Sequence, residues 1–436
     1  MDTINTEKEI SSAIKYKFAE KLKNGQLKIA IVGGGLGGIT IASRLRKDLP
    51  KAQITIFDPD ETIKYQPGFT LLATGIYKRE DVIFQKKKYI PKRVEWIKEN
   101  IVKLLPQSNQ IQTEKETYDY DYMILATGTV YRFEEYKNLS VDVIHDPNTP
   151  VTSVYTLEGA IKANKFLFDA VKNHKKLIFV EPNTPFKCGG ANKKVNFLFR
   201  DLCKKNGTLE NFDTLLCSGS GELLSSPIHS KMIEMLFIEK NMPYKLFHML
   251  DEVDIERKVA IFKKIQYYTE NGVEKVQIDR VEEPFDYLFV IPVMAAPDMI
   301  NEAGLSITQG HVAGYWADVD KFTLQHKRYD NIFAIGDCAG SPKGKTGASI
   351  RKQYPVLASN LLAHIHGKEL KDKFNGYTAC PLLTQFGKAV LVEFDYDGAA
   401  PSVPFIGPTE QSWLNWLVKR YFLKSMILKG MLRGRI

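Results

Sequence analysis

The chain predicts an α/β protein of two Rossmann-like domains followed by a C-terminal membrane-associating region. Three observations predict it. Ile29-Ala30-Ile31-Val32 is an apolar run that opens into Gly33-Gly34-Gly35-Leu36-Gly37-Gly38 and a helical segment, the strand–turn–helix of a dinucleotide cradle. Leu177-Ile178-Phe179-Val180 repeats the strand, before a turn of different chemistry that runs from Glu181 through Pro182, Pro185, Lys187 and Cys188 to Gly190. Residues 411–436 interleave aromatic and aliphatic side chains with six basic residues and no acidic one.

Each element has a physical reason. Gly33 permits the tight turn off the strand, Gly35 lets backbone approach a pyrophosphate, and Gly38 allows close helix–sheet packing. The helix from about Leu36 to Lys47 would aim its free N–H groups at that pyrophosphate. A second strand, Gln53–Phe57, ends in Asp58, close to the ~20-residue offset at which an acidic side chain binds ribose hydroxyls. The Lys86-Lys87-Lys88 run reads as a solvated face without a role. Leu215–Ser218 and Lys258–Phe262 are further strands, and Ala389–Phe394 is hairpin-like. The longest apolar run, Tyr287–Pro297, is broken by proline and reads as one buried strand; no run reaches the ~18–20 residues of a spanning helix.

Five domain segments follow. Residues 1–26 form an N-terminal extension, 27–150 the first part of the nucleotide domain, and 151–325 a second Rossmann-like domain. Residues 326–375 return to the first domain, and 376–436 form a C-terminal membrane-interacting region. The extension is mixed in charge and lacks arginine, unlike a secretory signal or transit peptide. The net charge of +9 favours anions and anionic membrane surfaces, and no nucleic-acid motif accompanies it.

Five cysteines without a signal peptide argue against a structural disulfide framework, and no CxxC or ligand spacing points to a metal. Cys203 and Cys217 sit in apolar helix-like and strand-like contexts, where a buried inert thiol is expected. Cys188 and Cys380 lie in turns. Cys188 follows Lys187 and precedes Lys194, and cationic neighbours favour the nucleophilic thiolate.

Asp121–Gly128, a strand ending in Ala126-Thr127-Gly128, and Asn331–Asp337, ending in Gly336-Asp337, resemble segments of the flavoprotein disulfide reductases. That resemblance implies FAD as the bound dinucleotide, with Thr127 and Gly128 beside it and Asp337 at its ribityl–phosphate region. Thr184–Ala191, Val319–His326, Gly336-Asp337-Cys338 with Lys345-Thr346, and Gly376–Leu382 through Tyr396 together resemble sulfide:quinone oxidoreductases, in the branch that includes the mitochondrial enzyme. The resemblance covers nearly the whole chain, departing from it at Cys188-Gly189-Gly190-Ala191-Asn192 and at the C-terminus.

It implies a redox-active Cys188–Cys380 pair, a catalytic Lys194 that stabilises sulfur anions, and Lys345 and Thr346 beside the flavin and quinone pocket. For Lys194 an ordinary surface lysine is the other reading. The implied reaction takes hydrogen sulfide to a persulfide or polysulfide and passes electrons through FAD to a membrane quinone. The sulfur acceptor stays open among sulfite, glutathione and sulfide. Quinone chemistry implies a peripheral, monotopic protein of the bacterial cytoplasmic or mitochondrial inner membrane, with the tail lying in the interface or packed on the core. A homo-oligomer is left open. Since both cysteines precede residue 411, removing the tail is expected to spare flavin reduction by sulfide.

Two alternatives have discriminating features. A type II NADH:quinone oxidoreductase needs a second glycine-rich cradle, which Glu181–Gly190 does not provide. A non-enzymatic flavoprotein scaffold has no use for two turn-borne cysteines.

Overall fold

The computed structural model describes residues 17–308, 314–343, 345–403 and 405–436. Most of the expected N-terminal extension, residues 1–16, lies outside them; residues 17–23 are helical, and Lys21 pairs with Asp121 at 2.5 Å.

Five parallel strands form the first sheet. Lys28–Val32 is central, with Gln53–Phe57 and Glu95–Ile97 on one side and Tyr122–Leu125 and Ile332–Ala334 on the other. The strands are short apolar runs because both faces are covered. Strand order reverses beside Lys28–Val32, and the crevice off the carboxyl ends at such a reversal is where open α/β sheets bind ligands. Helix Leu36–Asp48 starts there, directly after the glycine turn. Ile332–Ala334 enters from far along the chain, so the Gly336-Asp337 turn that follows it opens at the same end.

The second sheet is also parallel, in the order Val151–Thr152, Tyr287–Val290, Lys175–Glu181, Phe212–Ser218, Tyr244–Lys245. Helix Leu157–Lys172 is capped by Thr156, whose hydroxyl accepts from the Gly159 N–H. Helix Ala191–Asn206 follows the turn at Cys188 and stops at Gly207, in the left-handed conformation that ends helices without steric cost. It buries Val195, Phe197, Leu198 and Phe199, with Phe197 edge-on to Phe237 at 5.2 Å. A three-stranded antiparallel sheet, His248–Asp254, Val259–Glu270 and Val273–Pro284, is attached to this region. The hairpin Thr378–Gln385 and Lys388–Phe394 brings Cys380 back to Ala191–Asn206.

Three segments differ from the sequence expectation. The run Tyr287–Pro297 is two strands, Tyr287–Val290 in the second sheet and Val293–Ala295 paired with Val130–Arg132. Pro292 has no N–H to continue a ladder, and the chain changes sheets there. Lys86 is no solvated lysine: it is 2% exposed and ion-paired with Asp58. The strand beginning at Val259 runs to Glu270, well past the predicted Phe262.

Residues 413–433 form a succession of short helical segments. Among the described residues no helix is long and apolar enough to cross a membrane. One side of this tail is seated on the first domain: the Ser43 hydroxyl donates to the Leu432 carbonyl at 2.8 Å, Lys424 pairs with Asp81 at 2.7 Å, and Ile427, Met431 and Leu432 are buried. The other side leaves Trp413, Leu414, Tyr421 and Phe422 exposed. The tail therefore has a packed inner face and an exposed apolar outer face.

Candidate functional site

A cavity of about 520 Å³ runs from the glycine turn to the sulfur atoms of Cys188 and Cys380 and on to the tail. Its first end is the cradle. Gly33 has φ +104°, and a Cβ there would lie 2.5 Å from the Ala126 carbonyl oxygen. At Gly38 a Cβ would lie 1.8 Å from the Gly33 carbonyl oxygen, so only glycine lets the helix sit this close. A Cβ on Gly35 would meet nothing within 4 Å, because Gly35 faces the cavity.

Polar groups without partners mark the cavity wall. Asp337 Oδ1, Thr127 Oγ1, Thr129 Oγ1 and Thr70 Oγ1 are buried and make no hydrogen bond among the described residues. Buried polar atoms are normally satisfied; four in residues lining one cavity fit a ligand with several hydroxyl or phosphate oxygens and amide groups. Gly128, Lys345 and Thr346 line the same cavity. Lys345 donates to the carbonyls of Asp337 and Ala339 at 2.7 and 3.1 Å, and burial brings its pKa down to about 8. Thr346 caps helix Gly347–Ile365, its hydroxyl accepting from the Ser349 N–H. Asp58 accepts from the Gly34 N–H at 2.5 Å and pairs with Lys86, so its carboxylate also braces the glycine turn.

The second end is a sulfur site. Cys188, in its turn, and Cys380, which lies within strand Thr378–Gln385 and not in the expected turn, come together across 192 residues of sequence, Sγ to Sγ at 3.7 Å. Lys194, one turn into helix Ala191–Asn206 and 2% exposed, donates to both sulfurs, at 3.3 Å to Cys188 and 3.0 Å to Cys380. The surface-lysine reading is thus excluded. A hydrogen bond from the Cys380 thiol, together with Lys194 and Lys419, holds the Cys188 thiol well below its ordinary pKa despite burial. The same shared proton, with burial, holds Cys380 well above. The two titrate as a unit that loses one proton readily and keeps the other. Burial works against a charged Lys194, yet the two sulfurs outweigh it and keep the ammonium protonated.

The turn holding Cys188 is built to be rigid. Cys188 itself has φ +52°, unfavourable for an L side chain and tolerated where surroundings fix it. Tyr155 donates its hydroxyl to the carbonyl of Lys187 at 2.7 Å and lies 3.2 Å from that of Cys188. Glu181, at the strand end where a second pyrophosphate would need bare backbone, forms a fully buried pair with Lys193 at 2.5 Å, and Lys193 also donates to the Gly189 carbonyl at 3.0 Å. Burial pushes the Glu181 carboxyl up. This closed turn replaces a nucleotide cradle.

The other cysteines behave differently. Burial pushes Cys203 up to about 11 and Cys217 up to about 12, and raises Cys338 as well. Among the described residues none of the three is hydrogen-bonded to a lysine amine. The cation that acts on Cys188 is not the adjacent lysine. Lys187 points to Gln66 Oε1 at 2.7 Å and Asp337 at 3.8 Å; the cation bonded to sulfur is Lys194.

Lys419 was not anticipated. It lies on the inner face of the tail, is 2% exposed, donates to the Pro67 carbonyl at 2.6 Å and lines the sulfur end of the cavity. Burial and the neighbouring Lys194 bring its pKa down to about 8. In the sequence it is one of six tail cations, with no local signal to set it apart.

Residues 27–160 match the family model described as pyridine nucleotide-disulphide oxidoreductase. The chain is 33% identical to the sulfide:quinone oxidoreductase, mitochondrial, of Dictyostelium discoideum over 96% of its own length and 88% of that protein. The fold matches the sulfide:quinone oxidoreductase of Aquifex aeolicus with a TM-score of 0.75 at 21% identity, over 94% of this chain and 92% of that one. It also matches a chain in the structure of the Tetrahymena thermophila mitochondrial ATP synthase, with a TM-score of 0.77 at 18% identity, over 94% and 96%. At such identities the two structural likenesses show a shared fold.

Proposed function

The chain belongs to the sulfide:quinone oxidoreductase family, and on that footing we propose that it oxidises hydrogen sulfide at Cys188 and Cys380 and passes the electrons through FAD to a membrane quinone. The observation that carries the residue assignment is Lys194 bridging both sulfurs. FAD would be held by the backbone of Gly33 and Gly35 against a helix packed through Gly38, with Asp58, Thr127, Gly128, Asp337, Lys345 and Thr346 around it; it supplies a two-electron acceptor that quinone reoxidises.

The residues divide the sulfur chemistry between them. In the oxidised pair, hydrosulfide attacks one sulfur and the other leaves as thiolate. The thiol of lower pKa leaves faster, and the cations favour Cys188 in that role: Lys194 and Lys419 both act on its thiolate, whereas Lys194 alone acts on that of Cys380. Attack therefore falls on Cys380: a new S–S bond forms, the Cys188–Cys380 bond breaks, and Cys380 carries the persulfide. Cys188 and the persulfide sulfur then rejoin with loss of two electrons and one proton, retaining the sulfur until sulfite, a thiol such as glutathione, or a second sulfide removes it. Lys194 holds the negative charge in place at each stage without giving up its proton.

The test is stoichiometric. With sulfide and a short-chain quinone, one sulfane sulfur should appear per quinol formed. Quinol formation without sulfane sulfur would contradict the reaction.

The exposed Trp413, Leu414, Tyr421 and Phe422 support a peripheral seat on the membrane that holds the quinone, the inner mitochondrial or bacterial cytoplasmic one. Because Lys419 sits in the sulfur cavity, the expectation that tail removal spares sulfide chemistry is revised. Ending the chain at residue 410 should release it from membranes and also slow flavin reduction by sulfide. Two variants separate the effects: Lys419→Met should slow reduction while membrane binding persists, and Trp413→Ala with Phe422→Ala should do the reverse. Equal effects of both variants on both readouts would refute this division.

A further inference from the structure

We propose that strand Val273–Pro284 pairs antiparallel with the same strand of a second copy of this chain, about a two-fold axis at Gln277, joining two three-stranded sheets into one. The strand is the edge of the sheet His248–Asp254, Val259–Glu270, Val273–Pro284. The opposite outer strand, His248–Asp254, pairs only as far as His248↔Lys264, and the Ile265 N–H still donates to the Phe247 carbonyl, so Gln266–Glu270 and Val273–Gln277 continue as a two-stranded ribbon. Such a ribbon is marginal in water without a third strand. It also leaves Tyr267, Val276 and Ile278 67%, 55% and 60% exposed.

The outward backbone groups can be assigned. Asn271 and Gly272 both have positive φ, 54° and 77°, the two-residue turn that makes Glu270 and Val273 a hydrogen-bonded pair. By alternation Lys275, Gln277 and Asp279 turn their N–H and C=O toward the neighbouring strand, and Glu274, Val276, Ile278 and Arg280 turn theirs outward. A partner strand would meet those four.

The side chains select which strand that is. About Gln277, Val276 faces Ile278 of the copy, Lys275 faces Asp279, Glu274 faces Arg280 and Val273 faces Val281. Every charged pair is of opposite sign and every apolar residue meets another. Sliding the axis to Val276 sets Glu274 against Ile278 and Val273 against Asp279; sliding it to Ile278 sets Val276 against Arg280 and Glu274 against Glu282. Charges ordinarily blunt an edge strand against pairing, but in this order they admit a copy in one register. Lys275 and Arg280 are engaged locally by Glu270 and Glu282, at exposed positions where such pairs contribute little. Tyr267 lies opposite Val276 on the neighbouring strand and Ile265 opposite Ile278, so pairing would join both copies' apolar stripes.

The test uses the full chain with its flavin, in detergent. At the axis, Gln277 and its copy form a non-hydrogen-bonded pair with Cα atoms about 4.5 Å apart, inside the disulfide range. Gln277→Cys should give a disulfide-linked dimer on mild oxidation, which Tyr268→Cys and the wild type should not. In sedimentation equilibrium, Lys275→Asp and Asp279→Lys should each weaken self-association about tenfold or more, since each turns two attractive pairs repulsive. The double variant should restore it. Flavin content and bleaching by sulfide should stay unchanged in all, reporting intact folding. A protein monomeric at all concentrations, reversals without effect, a double variant no better than the singles, or cross-linking of Gln277→Cys no faster than of Tyr268→Cys would overturn the proposal.

Discussion

Cys188→Ser and Cys380→Ser are each expected to lower sulfide-dependent quinone reduction by about 10³-fold or more, as loss of a covalent participant does, while the yellow flavin stays bound. The two sulfurs sit 3.7 Å apart and share one lysine, so neither can complete the cycle alone. The variants should fail differently. Without Cys188 the thiolate that leaves is missing; without Cys380 the sulfur that accepts hydrosulfide is missing. Cys203→Ser, in a helix interior with its thiol pushed up to about 11, should stay within a few-fold of wild type. Substantial turnover in either of the first two variants, measured with matched flavin content, would remove the disulfide mechanism.

Lys194→Met is expected to produce the next largest loss, about 10²-fold in flavin reduction by sulfide near pH 7, the size seen when one donor to a developing anion is removed. Methionine keeps the buried volume but not the ammonium that touches both sulfurs. Its signature lies in the pH profile. Cys188 is depressed, so its thiolate is present above the lowered pKa and disappears as pH falls through it. In the variant the Cys380 hydrogen bond and Lys419 still favour the thiolate, but one cation is gone, so the thiolate should disappear from a higher pH than in the wild type. Alkylation of the reduced enzyme by iodoacetamide, followed against pH, measures this directly. A slow variant whose alkylation profile matches wild type would show that Lys194 acts through packing and not charge.

What the sequence made legible was local. The glycine turn, the strand ending in Ala126-Thr127-Gly128 and the Gly336-Asp337 turn each carry their geometry in a few adjacent residues, and all three open onto one cavity. The contrast between the turn at Glu181–Gly190 and a phosphate cradle was readable for the same reason. The juxtaposition of Cys188 with Cys380 came from resemblance, since nothing near either cysteine specifies a partner 192 residues away. Lys419 and Lys86 were missed because charge patterning treats a lysine in a basic run as solvated, whereas a tertiary contact, Pro67 in one case and Asp58 in the other, buried it. The ribbon was missed because Lys263–Pro284 alternates charge with β-branched residues without the apolar run that marks a core strand.

The central claim is that sulfide reaches the flavin through the Cys188–Cys380 pair and that no nicotinamide nucleotide docks at the turn holding Cys188. Anaerobic stopped-flow bleaching of the flavin, with sulfide and NADH compared on the same enzyme, tests it most directly. The account predicts rapid bleaching by sulfide and little by NADH or NADPH, because Glu181 and Lys193 close the second turn. Bleaching by NADH as fast as by sulfide would contradict it.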